Sequence, residues 1–227
     1  MRGVVFAGAQ RRASHGARRT YVRAWATTPR LAARGGGERY AWELMKEVRV
    51  SGAALRDQNA VLEELLGRPL IDRALLRLRS DQREELVTVL PISWIRVSTA
   101  IALLNAAGAE CSEDPMRLHE RVVRRSLERT LTTVWRLVLR FTTDNVLFSR
   151  ASVMYAKSHD AGALSVPVVE AGRATCALTG WPDVPKMSMQ GIAIGMETAL
   201  RLGGRKEPSV RFERRPDGAV FIATWGP

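Results

Sequence analysis

Ser209 to Trp225 reads SVRFERRPDGAVFIATW. Pro216-Asp217-Gly218 is a strong turn signal between two alternating runs, which predicts a hairpin of strands Ser209–Arg214 and Ala219–Trp225. Upstream, Ala163 to Thr179 reads ALSVPVVEAGRATCALT. There two strand-like runs, Ala163–Val169 and Ala174–Thr179, flank Glu170-Ala171-Gly172-Arg173, a second hairpin signal. Between the hairpins, Met187 to about Leu202 reads as a helix stopped by Gly203-Gly204. Two hairpins separated by one helix can pair into a four-stranded antiparallel sheet with helices on one face. The expected class is α+β: N-terminal helices, one long amphipathic helix, and this sheet.

The long helix is expected over residues 115–142. Asp114 is an N-cap candidate and Pro115 suits the first helical position. Val123, Leu127, Leu131, Val134, Val138 and Phe141 recur every three or four residues and predict one buried stripe. Arg121, Arg125, Arg129, Arg136 and Arg140 form a ridge on another side, which reads either as an anion-binding face or as a solvated surface tempered by Glu120 and Glu128. After Asp144 a short helical piece with Val146, Leu147 and Val153 leads to Tyr155 and to a turn at His159-Asp160-Ala161-Gly162.

The opening half reads as helical. Ser51 caps a helix with Leu55, Val61, Leu62, Leu65 and Leu66 on one face, broken at Gly67-Arg68-Pro69. A short stripe from Leu70 to Leu78 follows. Asp81 and Glu84 resemble a capping box for a segment ending before Pro91. A fourth helix is expected from Ser93 to Ala107, with Gly108 as its C′ residue.

The 227 residues carry a net charge of +12, with 46% hydrophobic and 26% charged residues. That composition supports a core and argues against wholesale disorder. Residues 1–37 hold eight arginines and no acid, and they end in Gly35-Gly36-Gly37. Removing those eight charges from +12 leaves +4 for residues 38–227. The expected organisation is a disordered Arg-rich tail over 1–37 and a single α+β domain over 38–227, helical over 38–113 and sheet-bearing over 114–227. The tail composition also fits an organellar transit peptide or a nucleic-acid arm. The uncharged stretch Val97–Ala109 would span about 20 Å as a helix, short of the ~30 Å bilayer core. No membrane span is expected, no secretory h-region is visible, and a cytoplasmic location follows.

The chemistry-bearing residues are sparse. His15, His119 and His159 make no metal spacing with Cys111 or Cys176, and those cysteines are too few for a disulfide framework. Gly203-Gly204-Arg205-Lys206 follows a helix, whereas a phosphate loop precedes one. Gly191 and Gly195 share a helix face and suit close packing. No catalytic residue, metal or cofactor is expected. Trp135, Trp181, Met187 and Met189 are the candidate lining of an apolar pocket between the long helix and the sheet, because rings and thioethers adapt to varied ligands. They equally suit an ordinary core.

Val50-Ser51-Gly52-Ala53-Ala54-Leu55, Leu90-Pro91-Ile92-Ser93-Trp94, and the closing helix–hairpin from Gly191 to Trp225 carry a resemblance. From about Glu47 onward the chain resembles an uncharacterised paralogous family found mainly in myxobacteria. The closing order of elements is also similar to 4-vinyl reductase domains, heme-NO-binding domains and small TRAPP subunits. Those relatives hold small molecules, heme or acyl chains between helices and sheet, or act as assembly subunits. The chain departs from them. Phe212, Phe221 and Ile222 stand where 4-vinyl reductase domains often have paired cysteines. The tyrosine–serine–arginine motif that holds heme propionates is not matched by Tyr155-Ala156-Lys157-Ser158-His159.

The expected function is a non-catalytic regulatory or sensory module of a bacterial cell, binding a small apolar ligand or a protein partner, with homo-oligomerisation open. An enzyme of unknown reaction is the alternative, as is nucleic-acid binding through the tail alone. A chain starting at Glu38 should keep the cooperative melt of the full protein and lose any salt-sensitive nucleic-acid binding. A loss of more than about 2 kcal/mol on truncation would make the tail structural.

Overall fold

The computed structural model describes residues 47–131 and 139–226. The expected tail at 1–37 lies outside them. In chain order the elements are β1 (Arg49–Ser51), α1 (Gly52–Leu66), α2 (Arg68–Leu76), α3 (Ser80–Val87), β2 (Trp94–Arg96), α4 (Val97–Cys111), α5 (Pro115–Thr130), α6 (Asp144–Ser158), β3 (Ala163–Glu170), β4 (Arg173–Thr179), α7 (Lys186–Leu202), β5 (Lys206–Arg215) and β6 (Gly218–Gly226).

The two hairpins and the helix between them form as the sequence predicts. The sheet order is β3-β4-β6-β5, and every neighbouring pair is antiparallel. The hairpins join through β4 and β6, from Arg173 opposite Thr224 to Thr179 opposite Gly218. One face carries Leu164, Cys176, Leu178, Val210, Ala219 and Phe221 into a core shared with α6 and α7. A second core lies among the N-terminal helices and α5, where Leu55, Leu62, Leu103, Leu104, Leu118 and Val122 meet. Ser51 and Asp114 cap α1 and α5 as expected: Ser51 Oγ accepts from the Ala54 amide at 3.3 Å, and Asp114 Oδ1 from Met116 at 2.6 Å.

Four expectations need correction. The long helix ends at Thr130, and Leu131 leaves helical geometry at φ −85° and ψ 74°. Thr130 suits the stop, since a β-branched residue with a hydroxyl favours other conformations; Thr130 Oγ1 already donates back to the Ser126 carbonyl at 2.9 Å. The buried stripe of α5 is Leu118, His119, Val122, Val123 and Ser126, and Phe141 is exposed. Residues 132–138, which include Val134, Trp135, Arg136 and Val138, lie outside the described residues. The helix expected from Ser93 begins at Val97, after the unpredicted strand β2, and runs through Gly108 to Cys111; Ser112, in the left-handed region, ends it. The segment starting at Asp81 begins at Ser80 instead, with Gln82 Oε1 accepting from the Arg79 amide. In α6 the inward residues are Leu147, Phe148 and Tyr155, while Val146 and Val153 face solvent.

α5 and α7 touch through Gly191 and Gly195, the pair whose spacing suggested close packing. A Cβ built on Gly191 would stand 2.9 Å from His119 Cε1, whereas one on Gly195 would meet only Leu127 Cδ1, at 3.9 Å. Gly191→Ala should therefore cost on the order of 1–3 kcal/mol through overpacking against a buried ring. Gly195→Ala should be neutral or gain up to about 1 kcal/mol from helix propensity. Denaturant unfolding of the two variants measures the difference, and equal stabilities would refute the close seam.

Candidate functional site

Trp181, Met187 and Met189 are buried but do not share one lining. Trp181 follows β4 and packs with Met189 in the sheet core. Met187, two positions earlier and so on the opposite face of α7, belongs to the helical core. Trp135 lies outside the described residues. The space between α6, α7 and the sheet holds the protein's own side chains: Phe148, Leu178, Leu200 and Phe221 are almost wholly buried, and Phe148 stacks on Trp225 with centroids 5.5 Å apart. A shallow dimple of about 10 Å³, room for no more than a water, lies between α1, α4 and α5; it is lined by Leu55, Leu62, Leu103 and Val122 together with Gln58 and Asn59.

The arginine ridge is matched by carboxylates. Arg121 Nη1 donates to Glu113 at 2.7 Å, and Arg125 and Arg129 share the Glu64 carboxylate of α1 at 3.1 and 2.9 Å. Arg124, which the ridge omitted, meets Glu120 at 2.9 Å and Glu197 at 3.8 Å. Arg140 is exposed, and Arg136 lies outside the described residues. Arg121, Arg125 and Arg129 share two carboxylates, Glu113 and Glu64, and the Glu64 pairs tie α5 to α1.

Sequence reasoning missed Arg205. Its guanidinium is mostly buried, and it donates from Nε to Asp144 at 2.9 Å and from Nη1 to the Leu139 and Gly203 carbonyls at 3.0 and 2.7 Å. It thus pins the entry of α6 to the turn between α7 and β5. A basic residue after Gly-Gly gives no sign of this, because Asp144 and Leu139 lie more than sixty positions away.

Two histidines are buried as neutral rings. His119 sits in the α5–α7 seam with Nδ1 unpartnered, and burial pulls its pKa down to about 4. His159 stacks on Tyr155 at 4.6 Å and tilts against Trp181 at 5.6 Å. Burial lowers its pKa to about 4 as well, against the opposing effects of the Tyr155 backbone and Asp160. The His159 backbone also bridges to Val50, and the Arg49 amide donates to Asp160 Oδ1 at 2.7 Å, so β1 is tied to the segment between α6 and β3. Cys176 is buried on β4, where desolvation pushes its thiol up to about 12 and makes it a poor nucleophile. Among the described residues no cluster of His, Cys, Asp and Glu could hold a metal, and no helix is long and apolar enough to cross a membrane.

Comparison with known proteins finds similarity in solved structures only. The chain is similar to the Fe(II) unliganded H-NOX protein from K. algicida, with TM-score 0.58 and 13% identity over 78% of this chain and 97% of that one. A structure from work on heme distortion in the H-NOX family gives TM-score 0.57 and 13% identity over 78% and 95%. An oxygen-binding H-NOX domain related to soluble guanylate cyclases, in its oxygen complex, gives 0.52 and 13% over 78% and 93%. No family model matches, and no curated protein matches. The chain therefore has an α+β fold like that of H-NOX domains.

The buried imidazole of His119 sets a pH dependence. The unfolded chain takes up this proton near pH 6.5 and the folded chain only near 4. Stability is then full above about pH 6.5 and falls as pH drops toward 4, by up to about 3 kcal/mol at one titrating site. Thermal melts from pH 7 to 4 should show this loss together with that of His159, whose pKa is also lowered to about 4, and His119→Gln should remove the His119 share and lessen the slope. An unchanged slope in that variant would remove His119 as its source.

Proposed function

We propose that this chain is a non-catalytic regulatory or sensory module that binds a protein partner through the turn between α3 and β2. We further propose that it belongs with the myxobacterial paralogous family whose patterns it carries. The supporting observation is how those patterns meet. Gly52 and Ala53, at the start of α1, donate their amides to the Ser93 and Pro91 carbonyls at 2.7 and 3.1 Å. A Cβ on Gly52 would lie 2.0 Å from the Leu90 carbonyl oxygen, so a glycine is needed there. Ser93 Oγ accepts from the Leu90 amide at 3.1 Å, the Ser93 amide donates to the Leu90 carbonyl at 3.0 Å, and Ser51 pairs with Trp94 across the β1–β2 ribbon.

The turn is thereby fixed at both ends, and it turns apolar side chains outward. Ile92 is 86% exposed, Val87 69%, Leu90 55% and Trp94 39%. Clustered apolar side chains on a surface mark interaction sites, and a pre-organised backbone reduces the ordering cost of binding. A tryptophan at the base of the patch is the residue type that most often anchors a protein interface. The second reading, a small apolar ligand, has less support, because the dimple between α1, α4 and α5 holds only about 10 Å³.

A photo-cross-linking side chain at Ile92 in the native cell should give one discrete adduct, with another protein or a second copy of the chain. Leu90→Ser should abolish that adduct while leaving the melt unchanged. The same adduct pattern from a cross-linker at Arg214, or none at Ile92, would defeat the reading.

A further inference from the structure

The solved structures that share this fold include one concerned with heme distortion and one in complex with oxygen. We infer that this chain uses the fold without heme: the space between helices and sheet is filled by its own side chains, and its buried imidazoles stand where no macrocycle can reach them. This rests on the fold and on the packing, not on the proposed partner.

Heme in proteins needs an axial ligand, which His, Cys, Met or Tyr supplies, and a flat apolar slot of a size typical of ligand pockets, roughly 300 Å³ or more. The imidazoles fail on geometry. His119 Nε2 lies 3.3 Å from where a Cβ of Gly191 would be, so the backbone of α7 already covers that ring edge. His159 is held between the rings of Tyr155 and Trp181, and a macrocycle set across the end of its imidazole would collide with them. The other buried donors are also committed. Tyr155 donates its hydroxyl to the Ala161 carbonyl at 2.8 Å, and Cys176 projects from the middle of β4 beside Phe221. Met189 and Met196 are packed in the sheet core and Met187 in the helical one. The unassigned stretch 132–138 contains no His, Cys, Met or Tyr.

The slot fails on volume. Phe148, Trp181 and Phe221 are buried in the helix–sheet core and Phe148 stacks on Trp225, while the dimple between α1, α4 and α5 has no axial-ligand side chain in its lining. The Tyr155–His159 stretch offers no propionate anchorage either. Lys157, the basic residue of the Tyr155–His159 stretch, is exposed, and Tyr155 is turned inward.

The full-length protein, produced in cells supplied with iron and 5-aminolevulinate, should purify without a Soret band and far below one heme per chain by pyridine haemochrome assay. Titration with haemin should give no saturating one-to-one complex and leave the melting temperature unchanged; a broad, unsaturable Soret signal that persists in His119→Gln and His159→Gln supports the same conclusion. A stoichiometric complex with a sharp Soret band and a raised melting temperature overturns it, and loss of that complex in His119→Gln or His159→Gln would identify the ligand.

Discussion

The pairing of β4 with β6 is the contact on which the rest of the molecule depends. Each hairpin alone is a local structure, and a lone two-stranded ribbon is marginal in water. Joined from Arg173–Thr224 to Thr179–Gly218, the hairpins become one surface with a continuous apolar face. The join demands a glycine at its end, because a Cβ on Gly218 would stand 2.1 Å from the Leu178 carbonyl oxygen. Once the sheet closes, α7 must cross its inner face to link β4 with β5, and the thioethers and aliphatic side chains of α7 bury there.

α7 then serves both cores. Its sheet side carries Met189, Met196 and Leu200, while Met187 reaches the helical core and Gly191 receives the ring of His119. α5 is held from its other side by ion pairs to α1, and the exposed pairs among these add little stability singly. Their effect is to orient helices whose apolar contacts are nondirectional. Arg205 does comparable work at the entry of α6, where its partly buried guanidinium satisfies carbonyls that would otherwise lack partners.

Between α6, α7 and the sheet the described side chains form a packed core, with Phe148 stacked on Trp225. The exposed apolar surface is elsewhere, on a turn whose backbone is tied to α1 and β1. A core tryptophan or methionine adds stability wherever it packs, so burial alone does not mark a binding site. Exposed Ile92 and Val87 gain nothing from folding, and it is this that separates them from the core residues.

Sequence periodicity and turn chemistry sufficed for the sheet, for α7, for the caps at Ser51 and Asp114, and for the tight contact implied by Gly191. These features are local, decided by residues within a few positions of one another. The pairing β3-β4-β6-β5, the strand β2, the end of α5 at Thr130 and the split of Trp181 and Met189 from Met187 were decided by tertiary structure. So were the ion pairs of Arg121, Arg125 and Arg129 with Glu113 and Glu64 and the reach of Arg205. In each of these the deciding partner is distant in sequence or a neighbouring element limits the volume, and spacing along a chain does not encode which surfaces will face each other.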